Sequence, residues 1–110
     1  MREFDSGATR DDDETKIDYE GFLSPQVLER FGQYMTAHRI QADGKLRASD
    51  NWQKGIPREE YLKSLLRHVF DVWYLHRHGV PLGGRGAMED ALCAIMFNCQ
   101  GYLFELLHGR

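Results

Sequence analysis

Arg67, His68 and Asp71 fall within little more than one helical turn of each other. At about 100° per residue they sit together beyond one edge of an amphipathic segment, whose apolar arc is Tyr61, Leu62, Leu65, Leu66, Val69, Val72 and Trp73. A guanidinium, an imidazole and a carboxylate on the rim of a core face can grip an anion and hold or move a proton. Two more acids, Glu89 and Asp90, open the next periodic segment. If the two segments are antiparallel helices, Asp71, Glu89 and Asp90 can converge. An oxygen-only set of that size suits magnesium or manganese, which keeps few protein ligands when phosphates supply the others. Asp71, Glu89 and Asp90 are therefore the expected metal ligands and catalytic acids, with His68 orienting one of them. Asp18 and Glu20 are held in reserve.

The other half of such a site has to bind the ligand. Lys45, Arg47, Lys54 and Arg67 can neutralise phosphate oxygens, Arg67 in a bidentate fashion. Lys16 joins them from the N-terminal arm. Trp52 can stack on a base while Asn51 hydrogen-bonds its edge; the alternative for Trp52 is a place in the core. In outline this is a nucleoside triphosphate site. There is no GxSxG elbow, P-loop, HExxH or CxxC pair in the chain, which sets the corresponding nucleophile and metal chemistries aside.

Three helices have to carry these groups. Ser24-Pro25 reads as an N-cap and first turn, and the periodicity of Val27, Leu28, Phe31, Tyr34 and Met35 predicts a helix over 24–38. Its last residue, His38, is expected to border the core. Pro57, with Glu59 and Glu60 behind it, opens a helix over 57–78, which Gly79 caps and Pro81 stops. The third helix is expected over 87–107. Leu92, Ile95, Met96, Cys99, Leu103 and Leu106 give it one apolar face, with Cys93, Phe97 and Phe104 nearly opposite. Only the strip Asp90, Ala94, Asn98, Gly101, Glu105 separates them. That strip is expected to face a polar cavity, where Asn98 would touch the ligand; solvent or a helix contact are its alternatives. A small protein can bury a helix apolar on two sides by oligomerising, so a homodimer or homotetramer is expected.

The joining segments read differently from one another. Residues 1–15, with the acidic run Asp11, Asp12, Asp13, Glu14, are expected to be a solvated arm, and Lys16–Leu23 an ordered extended segment. Arg39 to Gly55 is a long polar loop of the kind that tends to be functional. The glycine-rich connection 79–86 is expected to be flexible, and could act as a lid.

A chain of 110 residues fits a single domain. Its hydrophobic content of 42% and charged content of 28% fit a water-facing globule. A net charge of −3 gives no basic field to hold a nucleic-acid polymer. No run approaches the ~18 apolar residues that would cross a bilayer, and a cytoplasmic setting is expected. Cys93 and Cys99 lie on one helix where they cannot meet, and read as reduced core residues.

The run Asp50–Gly55 (DNWQKG), followed by a helix bearing Arg67-His68, resembles the phage and bacterial dATP/dGTP diphosphohydrolases, relatives of the MazG-like all-α nucleotide pyrophosphohydrolases. EFDSGATRD near the N-terminus, Lys16 to Pro25, and EDALCAIMFNCQGYLFELL at the C-terminus are also similar to the phage branch, so the resemblance spans nearly the whole chain. It implies an all-α fold, oligomeric assembly and divalent-metal hydrolysis of a (deoxy)nucleoside triphosphate to the monophosphate and pyrophosphate, in phage nucleotide metabolism. Water activated by metal-bound carboxylates would attack the α-phosphorus. The chain departs from the wider superfamily in lacking its paired ExxE and ExxD helical motifs: Asp11 and Glu14 alone have that spacing. Two alternatives therefore stay open, a nucleotide-binding protein without turnover and a phage protein that binds a host factor through its apolar last helix.

Overall fold

The computed structural model describes residues 1–11 and 14–110. The chain folds as helices with one small antiparallel ribbon, Arg2–Glu3 (β1) against Thr9–Arg10 (β2). A single turn, Tyr19–Phe22 (α1), precedes the long helices Pro25–Ala37 (α2), Arg58–His78 (α3) and Met88–Leu107 (α4). These match the three expected helices to within a residue or so at each end. Ser24 Oγ accepts the Val27 N–H at 3.2 Å and caps α2. Gly79 ends α3 at a φ of 74°, donating its N–H to Leu75 O.

The extended reading of Lys16–Leu23 is corrected by α1. Asp18 Oδ1 accepts the Gly21 N–H at 3.0 Å, and this cap holds one helical turn in place of the extended chain. Among the described residues, neither the ribbon nor α1 packs on another helix. Half of the acidic run, Asp12 and Asp13, lies outside the described residues.

The body is an antiparallel hairpin of α3 and α4, with α2 laid against α4. Asn98 meets Ser64, Gly101 meets Tyr61 and Glu105 meets Ile56, so rising along α4 is descending along α3. Of the α4 strip expected to face a cavity, Ala94, Asn98, Gly101 and Glu105 are buried in the helix contact that was its alternative reading, joined by Ala91, while Asp90 is half-buried and turned to α2. Small residues let two helix axes approach closely, and the two polar members are satisfied in place. Asn98 Nδ2 donates to Ser64 Oγ at 3.1 Å and Ala94 O at 2.8 Å. Glu105, 2% exposed, accepts the Ile56 N–H on one oxygen at 3.0 Å and Arg110 Nε on the other at 2.7 Å. These hydrogen bonds, with Arg110, hold the Glu105 carboxyl below its ordinary pKa against the opposing effect of burial.

The apolar arc of α3 is split by this geometry. Tyr61 is buried and Leu65 and Val72 are half-buried, whereas Leu62, Leu66, Val69 and Trp73 are exposed. Cys93 is buried as expected. Cys99 is exposed, because it lies on the side of α4 turned away from α3.

Candidate functional site

The long loop is folded, and it builds a cavity. A bridge between Ile40 and Leu46 closes it around a turn at Gly44, and Arg39 Nε donates to Arg47 O at 2.8 Å. The segment Asn51–Lys54 then forms a 3-10 turn. Trp52 lies edge-on to Phe104 (4.9 Å between centroids) and Phe97 (6.1 Å), which anchors the turn to α4. Trp52 is thus partly a packing residue, as its alternative reading had it.

Between this loop, the end of α2 and the α3–α4 hairpin lies a cavity of about 540 Å³. Its wall includes Tyr34, His38, Arg39, Arg47, Asn51, Trp52, Ser64 and Phe97. The size is within the range of small-molecule sites, and the lining has their usual mixture of aromatic surface and a few polar groups. His38 stacks on Tyr34 at 4.0 Å, with Nδ1 2.8 Å from the Tyr34 carbonyl. Burial pushes the Tyr34 hydroxyl pKa up, which keeps it a neutral donor.

Of the expected ligand-binding residues, the structure brings Arg47, Asn51 and Trp52 to this cavity. Lys54 is exposed on the 3-10 turn, Lys45 on the bridge loop, Arg67 on α3 and Lys16 on the arm; none of the four lines the wall. Asn98 is behind the wall, spent on Ser64 and its own helix. Arg39 and His38 line the wall as well: Arg39 was not among the expected site residues, and His38, expected to border the core, is exposed at the cavity instead. The signal for Arg39 was its place among the loop's basic residues, and for His38 its position at the end of α2.

The expected convergence of Asp71, Glu89 and Asp90 is corrected. The hairpin register puts Asp71 level with Ala91, close to both acids along the axis. A step of one residue, however, turns a side chain by about 100°. Asp90 therefore points to α2, where Arg30 Nη2 binds it at 2.8 Å while Arg30 Nε binds Glu89 at 2.7 Å. Asp71 turns to the α3–α4 connection, where Arg85 Nη2 lies 2.6 Å from its Oδ1, outside hydrogen-bonding angles. That ion pair also ties down the segment expected to be a flexible lid, which forms a 3-10 turn at Leu82–Gly84. Among the described residues no three His, Cys, Asp or Glu side chains are grouped to hold a metal ion. As they stand, the acids do not fit a magnesium or manganese ion, since arginines already neutralise them. Of the reserves, Asp18 is the α1 cap and Glu20 is exposed on the arm.

His68 is half-buried, with Nδ1 3.6 Å from Asp71 Oδ2, beyond a hydrogen bond. Burial lowers its pKa, reinforced by Arg67, Arg85 and His38, and Asp71 only partly opposes this. His68 is consequently neutral near pH 7, and its contact with Asp71 is a weak polar one.

No family model matches the chain, and neither a curated protein nor a solved structure matches it. Among the described residues, no helix is long and apolar enough to cross a membrane.

Proposed function

We propose that the cavity binds a (deoxy)nucleoside triphosphate and that the chain hydrolyses it to the monophosphate and pyrophosphate. The observation that carries this reading is the meeting of Arg39, Arg47, Asn51 and Trp52 on the wall of one cavity of about 540 Å³. Two guanidinium groups favour phosphate oxygens, the half-buried Asn51 amide can read a base edge, and the rings of Trp52 and Phe97 give a base an apolar seat. Arg39 is fixed through Nε and still has its terminal nitrogens to donate. The nucleotide enters as its magnesium complex, so that the cation comes with the ligand. The similarity of DNWQKG and Arg67-His68 to the dATP/dGTP diphosphohydrolases supports the choice of reaction.

A second reading, binding without turnover, is favoured by one observation: Glu89 and Asp90 are held by Arg30, and Asp71 lies against Arg85. One experiment separates the two. The protein is incubated with each dNTP and magnesium while pyrophosphate release and thermal shift are followed together. Hydrolysis predicts both signals, with Arg47→Ala weakening apparent affinity at least tenfold. A thermal shift without pyrophosphate leaves the binding protein, and no shift with any nucleotide removes the cavity assignment altogether.

A further inference from the structure

Two limbs of the long loop contribute to the cavity wall. Arg39 and Arg47 belong to the first, which ties itself together: Arg47 N–H donates to Arg39 O at 2.7 Å and Gln41 N–H to Lys45 O at 2.9 Å. Asn51 and Trp52 belong to the second, whose 3-10 turn has local hydrogen bonds, Gln53 N–H to Asp50 O and Gly55 N–H to Trp52 O. Those bonds shape the turn without fixing where it stands. At Gly55 the chain swings out at a φ of 119°, a conformation that favours glycine, so the turn has a pivot where it joins α3.

A block of residues at the end of α4 stops that pivot. The Glu105 carboxylate accepts the N–H of Ile56, one residue past Gly55, at 3.0 Å. Ile56 itself lines the cavity. Phe104, beside Glu105 on α4, meets the Trp52 ring edge-on at 4.9 Å between centroids. Arg110 closes the block: Nε donates to the other Glu105 oxygen at 2.7 Å, and the guanidinium lies over the Phe104 ring and beside Gly55. Glu105 is 2% exposed, and burying a carboxylate is costly unless its oxygens are matched. An apolar side chain would avoid that cost, but would leave the Ile56 N–H without this acceptor.

We propose, on the nucleotide reading of the cavity given above, that Glu105 is a positioning residue of that site: it holds the Trp52 turn at the separation from Arg39 and Arg47 that a nucleotide spans. Glu105 is not on the cavity wall and acts through Ile56. A ligand that touches the arginines of one limb and the rings of the other is sensitive to the gap between them, and a misplacement of about 1 Å can cost about a hundredfold. What this role needs from residue 105 is reach rather than charge. Glu105→Gln loses the ion pair to Arg110 but keeps an oxygen placed to accept the Ile56 N–H. Glu105→Asp keeps the charge and is one methylene too short.

Trp52 and Trp73 are the two tryptophans of the chain, and Trp73 is exposed on α3. A Trp73→Phe background therefore leaves Trp52 as the reporter. The full chain and its variants are titrated with the magnesium complexes of dATP, dGTP, dCTP and dTTP, and acrylamide quenching of Trp52 is read with and without nucleotide. The temperature is one at which the far-ultraviolet circular dichroism of each variant equals the parent's. Glu105→Gln should bind like the parent, with Trp52 equally shielded. Glu105→Asp should bind at least about tenfold more weakly, with Trp52 more open to the quencher in the free protein; where turnover is seen, the loss falls on KM and not on kcat. A purely structural ion pair follows charge and gives the reverse order, which overturns the proposal. So does a Glu105→Asp protein equal to the parent in both readings. Should Glu105→Asp fail to fold, Glu105→Gln decides: parent-like affinity and shielding sustain the proposal, and loss of either overturns it. A parent that binds none of these nucleotides defeats the nucleotide reading of the cavity, and quenching of Trp52 in the free proteins then decides whether Glu105 positions the turn.

Discussion

The ring of Tyr61 occupies the space that a side chain at Gly101 would need. The contact is one of the points where α3 and α4 pack directly on each other, with no room between ring and backbone. Any Cβ at 101 would meet the ring's Cε1 and Cζ, so helix or ring has to move. Gly101→Ala should therefore destabilise the fold by about 2 kcal/mol, the usual cost of overpacking, although alanine is the better helix former. Urea denaturation with an unchanged slope would confirm the size and the mechanism. The Tyr61 hydroxyl is buried with no hydrogen-bond partner. Tyr61→Phe should accordingly be neutral or slightly stabilising, and a loss above 1 kcal/mol in the same assay would refute that account.

Trp52 connects the loop to the body. It is half-buried, with its edge contacts to Phe97 and Phe104 in place, and truncation should cost less than the 3–5 kcal/mol of a fully buried aromatic. About 2 kcal/mol is expected for Trp52→Ala, together with weaker nucleotide binding. Trp52→Phe keeps part of the packing and should recover most of the stability but not all of the binding. Equal recovery of both would assign Trp52 to packing alone.

The helices were legible in the sequence because their signals are local. Ser24-Pro25, Pro57, Gly79 and a period near 3.6 act within a turn or two of each boundary. Which side of α4 meets α3 was not local. Periodicity marks Leu92, Leu103 and Leu106 as an inner face, yet Ala94 and Gly101 win because small side chains let the hairpin close. Asn98 and Glu105 then find partners at Ser64, Ile56 and Arg110, far away in sequence. The same limit applies to the site. DNWQKG pointed to Asn51 and Trp52, which line the cavity, and spacing placed Asp71 level with Glu89 and Asp90. The rotation that gives those two acids to Arg30 depends on where α2 docks, and no motif announces it.

Glu105 carries the pH dependence of the hairpin's open end. Its folded pKa is lowered, first by the Ile56 N–H and then by Arg110. The charged form is thus the stabilising one. Its contribution is complete above the ordinary value of 4.5 and is lost as pH falls from there through the lower folded value. Glu105→Gln should lower the melting temperature at pH 7 and flatten the fall in stability below pH 4.5. A parallel acid limb in the two proteins would contradict this. Arg110→Ala should move the acid limb in the same direction but less, since the Ile56 hydrogen bond remains.

Arg30 decides how the acids of α4 behave. Three carboxylates sharing one metal site would repel each other without a cation, and neutralising one of them would stabilise the free protein. In the folded chain each acid instead has an arginine: Arg30 holds Glu89 and Asp90, and Arg85 lies against Asp71. Asp90→Asn should therefore be destabilising, by about 0.5 kcal/mol, the scale of a solvent-screened pair. Asp71 is more enclosed than Asp90, with 14% against 49% of its side chain exposed. Asp71→Asn should consequently cost more than Asp90→Asn, up to about 1 kcal/mol. Arg30→Ala leaves two adjacent acids on the first turn of α4 without their shared cation. It should destabilise the protein in water, and added magnesium should recover stability in this variant more than in the parent. If magnesium stabilises both equally, the ion does not compete with Arg30 for Glu89 and Asp90.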